Sequence, residues 1–172
     1  MSGGRVTGYA LLGVAGLLFV VAAFSGWRGA QGIAGREDDT RSVEAAARKF
    51  VLAYGTFDYR EPNTYAARLS GLATGALREV LSEAAIAPDA RTMQRRISTH
   101  IEAISVTALS ETQATTAVTA VQERRWSDPV IGTALSEAVR QRVTCRLVRE
   151  DGRWLVVELR MQSEAPAHRE VR

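Results

Sequence analysis

Hydrophobic and polar residues are arranged in three ways along this chain, and each predicts a different kind of element. From Val6 to Trp27 there is no alternation: VTGYALLGVAGLLFVVAAFSGW is 22 residues without a charge, closed by Arg5 and Arg28. As a helix it would be ~33 Å long, enough to cross a ~30 Å hydrocarbon core. Tyr9 and Trp27 fall near its ends, where amphipathic rings favour the lipid–water interface. The stretch therefore reads as a transmembrane helix, with Tyr9, Trp27 and Arg28 as its interfacial anchors. Two other readings compete. Val21-Ala22-Ala23 is a passable cleavage site for a secretory signal, but the positive n-region is only Arg5 and the amino terminus. A buried helix of a soluble protein seldom runs this long without a charge. Gly8, Gly13 and Gly16 suit a membrane helix but are not spaced as GxxxG.

The second arrangement has the period of an amphipathic helix. Gln31–Asp39 is a short linker with glycine and acidic residues, which holds the globular part close to the bilayer. Thr40 or Ser42 can cap a helix, with Glu44 in its first turn. Val43, Ala46, Ala47, Phe50, Val51 and Tyr54 then form one apolar stripe, with Glu44, Arg48 and Lys49 off it, and Gly55 ends it. Phe57 to Pro62 is a corner, and Pro62 suits the first turn of a second helix. Tyr65, Leu69, Leu72, Ala73, Ala76, Leu77, Val80 and Leu81 give that helix a buried face. Gly71 and Thr74-Gly75 break or kink it, so it can be two short helices. Ile86–Arg91, with Pro88-Asp89, is a loop.

From about Arg96 the period becomes two. His100–Leu109 is rich in Ile, Val and Thr. Thr115–Arg125 alternates Thr115, Ala117, Thr119 and Val121 against Thr116, Val118 and Ala120. Ser136–Val148 alternates Val139, Val143, Cys145 and Leu147 against Arg140, Arg142 and Arg146. Arg153–Met161 carries Leu155, Val157, Leu159 and Met161 on one face. Glu150-Asp151-Gly152 is a tight hairpin signal, and Trp126–Thr133 is a longer connection between the middle strands. Ser163–Arg172 reads as a polar, frayed tail. Helices followed by strands give an α+β class. The predicted plan is a tip (1–5), a transmembrane helix (6–27), a linker (28–39), one globular domain (40–162) and a tail (163–172). In that domain, two to three helices pack on a curved antiparallel sheet of about four strands.

Charge changes the picture once it is located. The formal charge is +3 and the pI about 9.5, which on its own suggests nucleic acid. Three of the 22 basic residues, Arg5, Arg28 and Arg36, precede Glu37, so 19 remain to balance 19 acidic residues, all at or after Glu37. The globular part is formally neutral and the basicity belongs to the membrane flanks, so no nucleic-acid partner is expected. Lys49 is the single lysine among 21 arginines. Cys145 is the single cysteine, which excludes an internal disulfide and a cysteine-based zinc cluster.

Three segments carry a resemblance. Tyr54-Gly55-Thr56-Phe57-Asp58-Tyr59-Arg60, Leu72-Ala73-Thr74-Gly75-Ala76-Leu77-Arg78 and Val148-Arg149-Glu150-Asp151-Gly152-Arg153-Trp154-Leu155-Val156 resemble actinobacterial Mce-associated membrane proteins. The plan of one anchor plus one cone is also similar to scaffold proteins of conjugative type IV secretion systems. The resemblance spans roughly residues 6 to 161. It implies a nuclear-transport-factor-like, or SnoaL-like, cone and a single-pass protein of the cell membrane with its C-terminal domain outside the cytoplasm. The charges alone do not orient it: Arg5 and the amino terminus face Arg28 and Arg36, a count slightly against export.

Candidate chemistry is sparse. Tyr54, Asp58, Tyr59 and Tyr65 cluster at the first helical corner, where a carboxylate beside phenols can serve as base and hydrogen-bond donors. The resemblance to ketosteroid-isomerase and SnoaL-like enzymes makes an isomerase- or cyclase-like activity in the cone cavity the alternative function. The plainer reading is that Asp58 caps a turn and the tyrosines pack with wet hydroxyls. His100 and His168 have no carboxylate-rich companion motif, and neither a metal nor a cofactor is expected. Cys145 alternates with Val143 and Leu147 and reads as a core residue. Arg140, Arg142 and Arg146 share a strand face, which is either a docking surface or a solvated face balanced by Glu123, Glu137, Glu150 and Glu158. Trp126 beside Arg125 is a candidate contact. The expected function is a non-enzymatic, membrane-anchored accessory or scaffold subunit of an envelope transport machine, either Mce-type lipid import or conjugative type IV secretion. Its expected partners are the bilayer, other subunits of the complex and further copies of itself. Removing residues 1–30 is expected to move the chain from the membrane fraction to the supernatant; a truncated chain that still sediments with membranes would refute the anchor.

Overall fold

The structure is a computed structural model that describes residues 36–83, 89–128, 130 and 132–167. The chain divides after Asp39 into two compact units, and the second, from Thr40 on, carries the fold. The stretch Val6–Trp27, with Tyr9, Trp27 and Arg28, lies outside the described residues. Among those residues no helix is long and apolar enough to cross a membrane.

Helix α1 covers 36–55. It is already helical at Arg36, earlier than the start at Thr40 or Ser42 that capping residues predict, and it takes up the end of the expected linker. No glycine or proline interrupts the run from Arg36 to Tyr54, so nothing in the backbone forces a later start. Its stripe is the expected one: Val43, Ala47, Phe50 and Val51 are buried. The second helical segment is two helices, α2 (Pro62–Ser70) and α3 (Gly75–Glu83). Between them Ala73 forms a parallel bridge with Val156, and Thr74 N donates to Val156 O (2.9 Å). Gly75 has φ +58, which an L side chain rarely adopts, so the chain turns there.

The sheet is antiparallel, in the order β1-β2-β3-β4-β5. Its strands are β1 (Phe57–Asp58), β2 (Arg96–Leu109), β3 (Gln113–Ser127), β4 (Ala134–Glu150) and β5 (Arg153–Pro166). Among the described residues there are five strands where about four were expected. Two-residue β1 has no period to read; it exists because Phe57 pairs with Ile97 and sets its ring edge-on to Tyr65 at 5.3 Å. Two further boundaries differ. Trp126 is a strand residue opposite Leu135, not part of a loop. Ser163–Pro166, read as tail, extend β5 beside β4, where Gln141 lies opposite Glu164 and Val139 opposite Pro166. The domain therefore runs past residue 162.

Strands β3 and β4 pair in unbroken register from Gln113 opposite Val148 to Ser127 opposite Ala134. The outer strands do not. Register shifts leave Glu102 and Thr107 as extra residues in β2, and Val157 and Gln162 in β5. Each bulge reverses the face and bends the strand. This is why Leu155, Val157, Leu159 and Met161 do not share one face. Leu147 lies opposite Val156 but Cys145 lies opposite Leu159, so the inward series is Val156, then Leu159 and Met161.

The core fills the concave side. Phe50, Leu69, Val118, Cys145, Leu147 and Val156 join α1, α2 and the sheet in one cluster. Gly55 stands where α1 meets the sheet. Thr99 Oγ1 donates to its carbonyl at 2.5 Å, and a β-carbon there would fall on that same hydroxyl, with Gln122 Nε2 at 3.0 Å. Gly55→Ala is expected to lower stability by about 1–3 kcal/mol, since Thr99 must move and lose its bond. Denaturant unfolding measures it; a variant as stable as the parent would show that the contact is not tight.

Candidate functional site

One end of the concave face is polar. The inward series of β3, Ala114, Thr116, Val118 and Ala120, continues as Gln122, Arg124 and Trp126. In β4 the inward positions opposite them are Val139, Glu137 and Leu135, with Gln141 opposite Ala120. A charged residue thus stands at core-facing parity on both central strands, and the extended end of β5 adds Glu164 beside Gln141.

Arg124 is the centre of this cluster. Its Nη1 donates to Glu164 Oε1 (2.9 Å) and Glu137 Oε1 (3.2 Å), and its Nη2 donates to Glu164 Oε2 (2.9 Å) and Gln122 Oε1 (3.1 Å). Gln141 Nε2 donates to Glu164 Oε2 at 2.5 Å. The planar guanidinium matches the carboxylate fork, so the pair is bidentate and directional. The Arg124 guanidinium and the Gln141 amide hold the Glu164 carboxyl below the usual carboxylate range. Hydrogen bonding to Glu164 raises the pKa of Arg124 further.

Above this floor lies a cavity of about 480 Å³, open on one side and walled by Tyr54, Tyr65, Ile97, Trp126 and Met161. Tyr65 Oη donates to the Tyr54 carbonyl (2.8 Å), and burial pushes its phenol up to about 12. The narrow end is filled: Phe50 and Leu147 are fully buried and Leu69 nearly so.

The structure separates the residues that sequence proximity groups. Tyr54 and Tyr65 line the cavity; Asp58 and Tyr59 do not. Asp58 lies opposite Arg96, Oδ1 accepts from the backbone N–H of Arg60 (2.9 Å), and Oδ2 is 3.6 Å from Arg96 Nε. It holds a turn. Tyr59 sits at 5.6 Å from both the Arg60 and Arg96 guanidinium carbons, and the hydrogen bond from Arg60 lowers its pKa. Trp126 faces the cavity, whereas its neighbour Arg125 is exposed on the other face and pairs with Glu123 (3.4 Å).

Arg140, Arg142 and Arg146 lie on the convex face. Arg140 makes a two-pronged pair with Glu102 (2.8 Å for each bond), and Arg146 Nε reaches Glu158 (3.0 Å), which also takes Arg160. Of the carboxylates expected to balance this face, Glu137 instead serves Arg124, and Glu150 accepts from Thr74 Oγ1 (2.9 Å). Cys145 is buried and burial pushes its thiol up to about 11, which leaves it a poor nucleophile. Among the described residues no group of three metal-ligating side chains converges. Sequence reasoning missed Arg124, Glu137 and Glu164 as a set. The available signal was the alternation of β3 and β4 carried a few residues further, into charge.

Glu164 is held ionised by its partners in the fold, so its contribution to stability is present above the unfolded carboxyl pKa and is lost as pH falls through the lower folded value. Replacing Arg124 with Ala removes that contribution and leaves Gln122 and Glu164 short of partners, an expected cost of about 1–3 kcal/mol at neutral pH. The expected signature is a shallower loss of stability below about pH 5 than in the parent. Urea unfolding against pH measures both; parallel acid limbs would show that the pair contributes nothing.

No known protein family's sequence model matches the chain, and no curated protein does. Solved structures do match. One is the VirB8 protein of Agrobacterium tumefaciens, at 11% identity and TM-score 0.52, covering 74% of this chain and 94% of that one. Another is a protein of Novosphingobium aromaticivorans described as a scytalone dehydratase, at 17% identity and TM-score 0.51, covering 72% and 87%. A third is an Ntf2-like protein involved in plasmid conjugation, at 13% identity and TM-score 0.50, covering 77% of this chain and 50% of that one. At these identities the likeness concerns the fold, and the fold of this domain is the α+β, nuclear-transport-factor-like cone: three helices against a curled five-stranded antiparallel sheet.

Proposed function

We propose that this chain is a membrane-anchored, non-enzymatic accessory subunit of a cell-envelope transport machine, acting through protein–protein contacts of an exported cone domain. The observation that carries this reading is the state of the cone mouth. Its central cation is spent on Glu137 and Glu164, burial raises the pKa of the half-buried Tyr65 phenol, and Asp58, at the first corner, is engaged in a turn outside the cavity. General acid–base catalysis needs a group that can give or take a proton near the working pH. In this mouth the partners of Glu164 lower its pKa and burial raises that of Tyr65, so both shifts run away from neutral pH.

The fold is shared with VirB8 and with a protein involved in plasmid conjugation, which favours conjugative type IV secretion as the context. Mce-type lipid import rests on the sequence resemblance. The anchor of residues 6–27 and the exported position of the domain belong to the same reading. A second reading keeps the cavity as a small-molecule site, because about 480 Å³ with aromatic walls has the dimensions of ligand pockets. The likeness to a protein described as a dehydratase supports that second reading only through the fold, which hosts many unrelated functions.

The test is crosslinking in intact cells of the native host, followed by identification of the proteins joined to the chain. Recovery of other envelope-complex subunits is expected, together with protease access to the domain from outside the cytoplasmic membrane. A domain protected by an unbroken membrane, or one joined to no envelope protein at all, would overturn the proposal.

A further inference from the structure

The outer surface of the helices carries a groove unrelated to the cone mouth. Its two walls are Lys49, Leu52 and Ala53 from α1 with Thr56 just after it and, from α2 and the residues just after it, Arg68, Gly71 and Leu72. It encloses about 580 Å³. The residues Lys49, Leu52 and Ala53 are spaced i, i+3 and i+4 on α1 and form a helical ridge about one turn long, while the other wall is the last turn of α2, at Arg68, and the turn that follows it, at Gly71 and Leu72. Leu52, Ala53 and Leu72 are half-buried and rest on the core from outside, and they form an apolar floor. Lys49 and Arg68 are exposed. Among the described residues neither has a carboxylate within ion-pair distance, unlike Arg96, Arg124, Arg140 and Arg146. Gly71 leaves the middle of the groove without a side chain.

We propose that this groove is the docking site for an amphipathic helix of a partner protein, with two apolar anchors about one turn apart and carboxylates flanking them. The α1 ridge favours a helix, whose side chains at i, i+3 and i+4 match its spacing. The two cations specify its charge: a basic helix would place like charges against Lys49 and Arg68 as they lose water, which costs affinity. The proposal supplies a partner-binding surface for the accessory-subunit reading and rests on it only for where the partner comes from.

The probe is a fluorescent 18-residue amphipathic helical peptide with leucine anchors flanked by glutamate, titrated with the full-length chain and read by anisotropy. Its counterpart has lysine in place of every glutamate. The acidic peptide is expected to bind and the basic one to bind at least about tenfold more weakly, with the difference shrinking as salt rises. Gly71→Leu fills the groove. It is compatible with the fold, because Gly71 has an ordinary φ of −76 and an added β-carbon would come no closer than 3.8 Å to the Ala67 and Arg68 carbonyl oxygens. Loss of acidic-peptide binding in that variant, with unchanged unfolding, is expected. The double variant K49E, R68E is expected to reverse the preference between peptides. Lys49 is the only lysine side chain, so an amine-to-carboxylate crosslink mapped to Lys49, and not to the amino terminus, places the bound acidic peptide at the groove.

Equal binding of both peptides, undiminished binding to Gly71→Leu, or binding of the parent to anionic vesicles that the acidic peptide cannot displace would each overturn the proposal. Failure here is distinct from failure of the accessory-subunit reading. If envelope subunits are recovered from cells while the acidic peptide does not bind, the groove is wrong and the reading stands. If the peptide binds through the groove but no envelope subunit is recovered, the groove stands and the reading falls.

Discussion

Bulges in the outer strands decide the shape on which everything else in the domain depends. The central pair, β3 and β4, runs in register over its whole length, and a pair of that length is only twisted. Glu102 and Thr107 in β2 and Val157 and Gln162 in β5 add residues to the strands on either side. Both flanks then bend and the sheet closes partway around α1. Phe50 is fully buried because of that curl. A flat sheet of the same strands would meet the helix along one line and leave the polar end of β3 beside open solvent. The curl turns that end into a mouth.

The same bulges set how much of the fold is legible in the sequence. Where pairing is regular, period two reads true: Val139, Val143, Cys145 and Leu147 are inward, and Arg140, Arg142 and Arg146 are outward. Where a bulge intervenes, strict alternation assigns the wrong face, as at Val157. Helical spacing survives better, because α1 has no such interruption and its stripe of Val43, Ala47, Phe50 and Val51 is buried as read. The errors at the edges have a common cause. The two-residue β1 and the Ser163–Pro166 end of β5 are strands because of what they pair with, and pairing partners are far away in sequence.

The candidate site was legible in type but not in membership. Tyr54 and Tyr65 do line the cavity. Asp58, close to Tyr54 in the chain, does not, because the direction of a strand residue alternates: Phe57 pairs with Ile97 on the inner side and Asp58 with Arg96 on the outer. The groups that dominate the mouth come from three strands. Glu137 lies 13 residues beyond Arg124 and Glu164 lies 40 beyond it, and only register brings the three together. Each looks like an ordinary surface charge when read alone.

That arrangement bears on what the cone can be used for. A guanidinium at core-facing parity needs counter-charges, and here two carboxylates supply them within the fold, with the Gln122 carbonyl oxygen accepting a further bond and Gln141 bracing Glu164. A ligand that engaged Arg124 strongly would have to displace Glu164, with its two 2.9 Å bonds, and leave that carboxylate without its cation. Arg124 is therefore already engaged within the fold, whereas a lone arginine in a cavity would attract an anion. The outer groove is the opposite case. Lys49 and Arg68 stand beside an apolar floor with no carboxylate paired to them among the described residues, so a partner bringing negative charge neutralises them at no cost to existing pairs. Arg124 at the mouth is thus satisfied within the fold, and the two cations at the groove are the contrast on which the proposed partner contact rests.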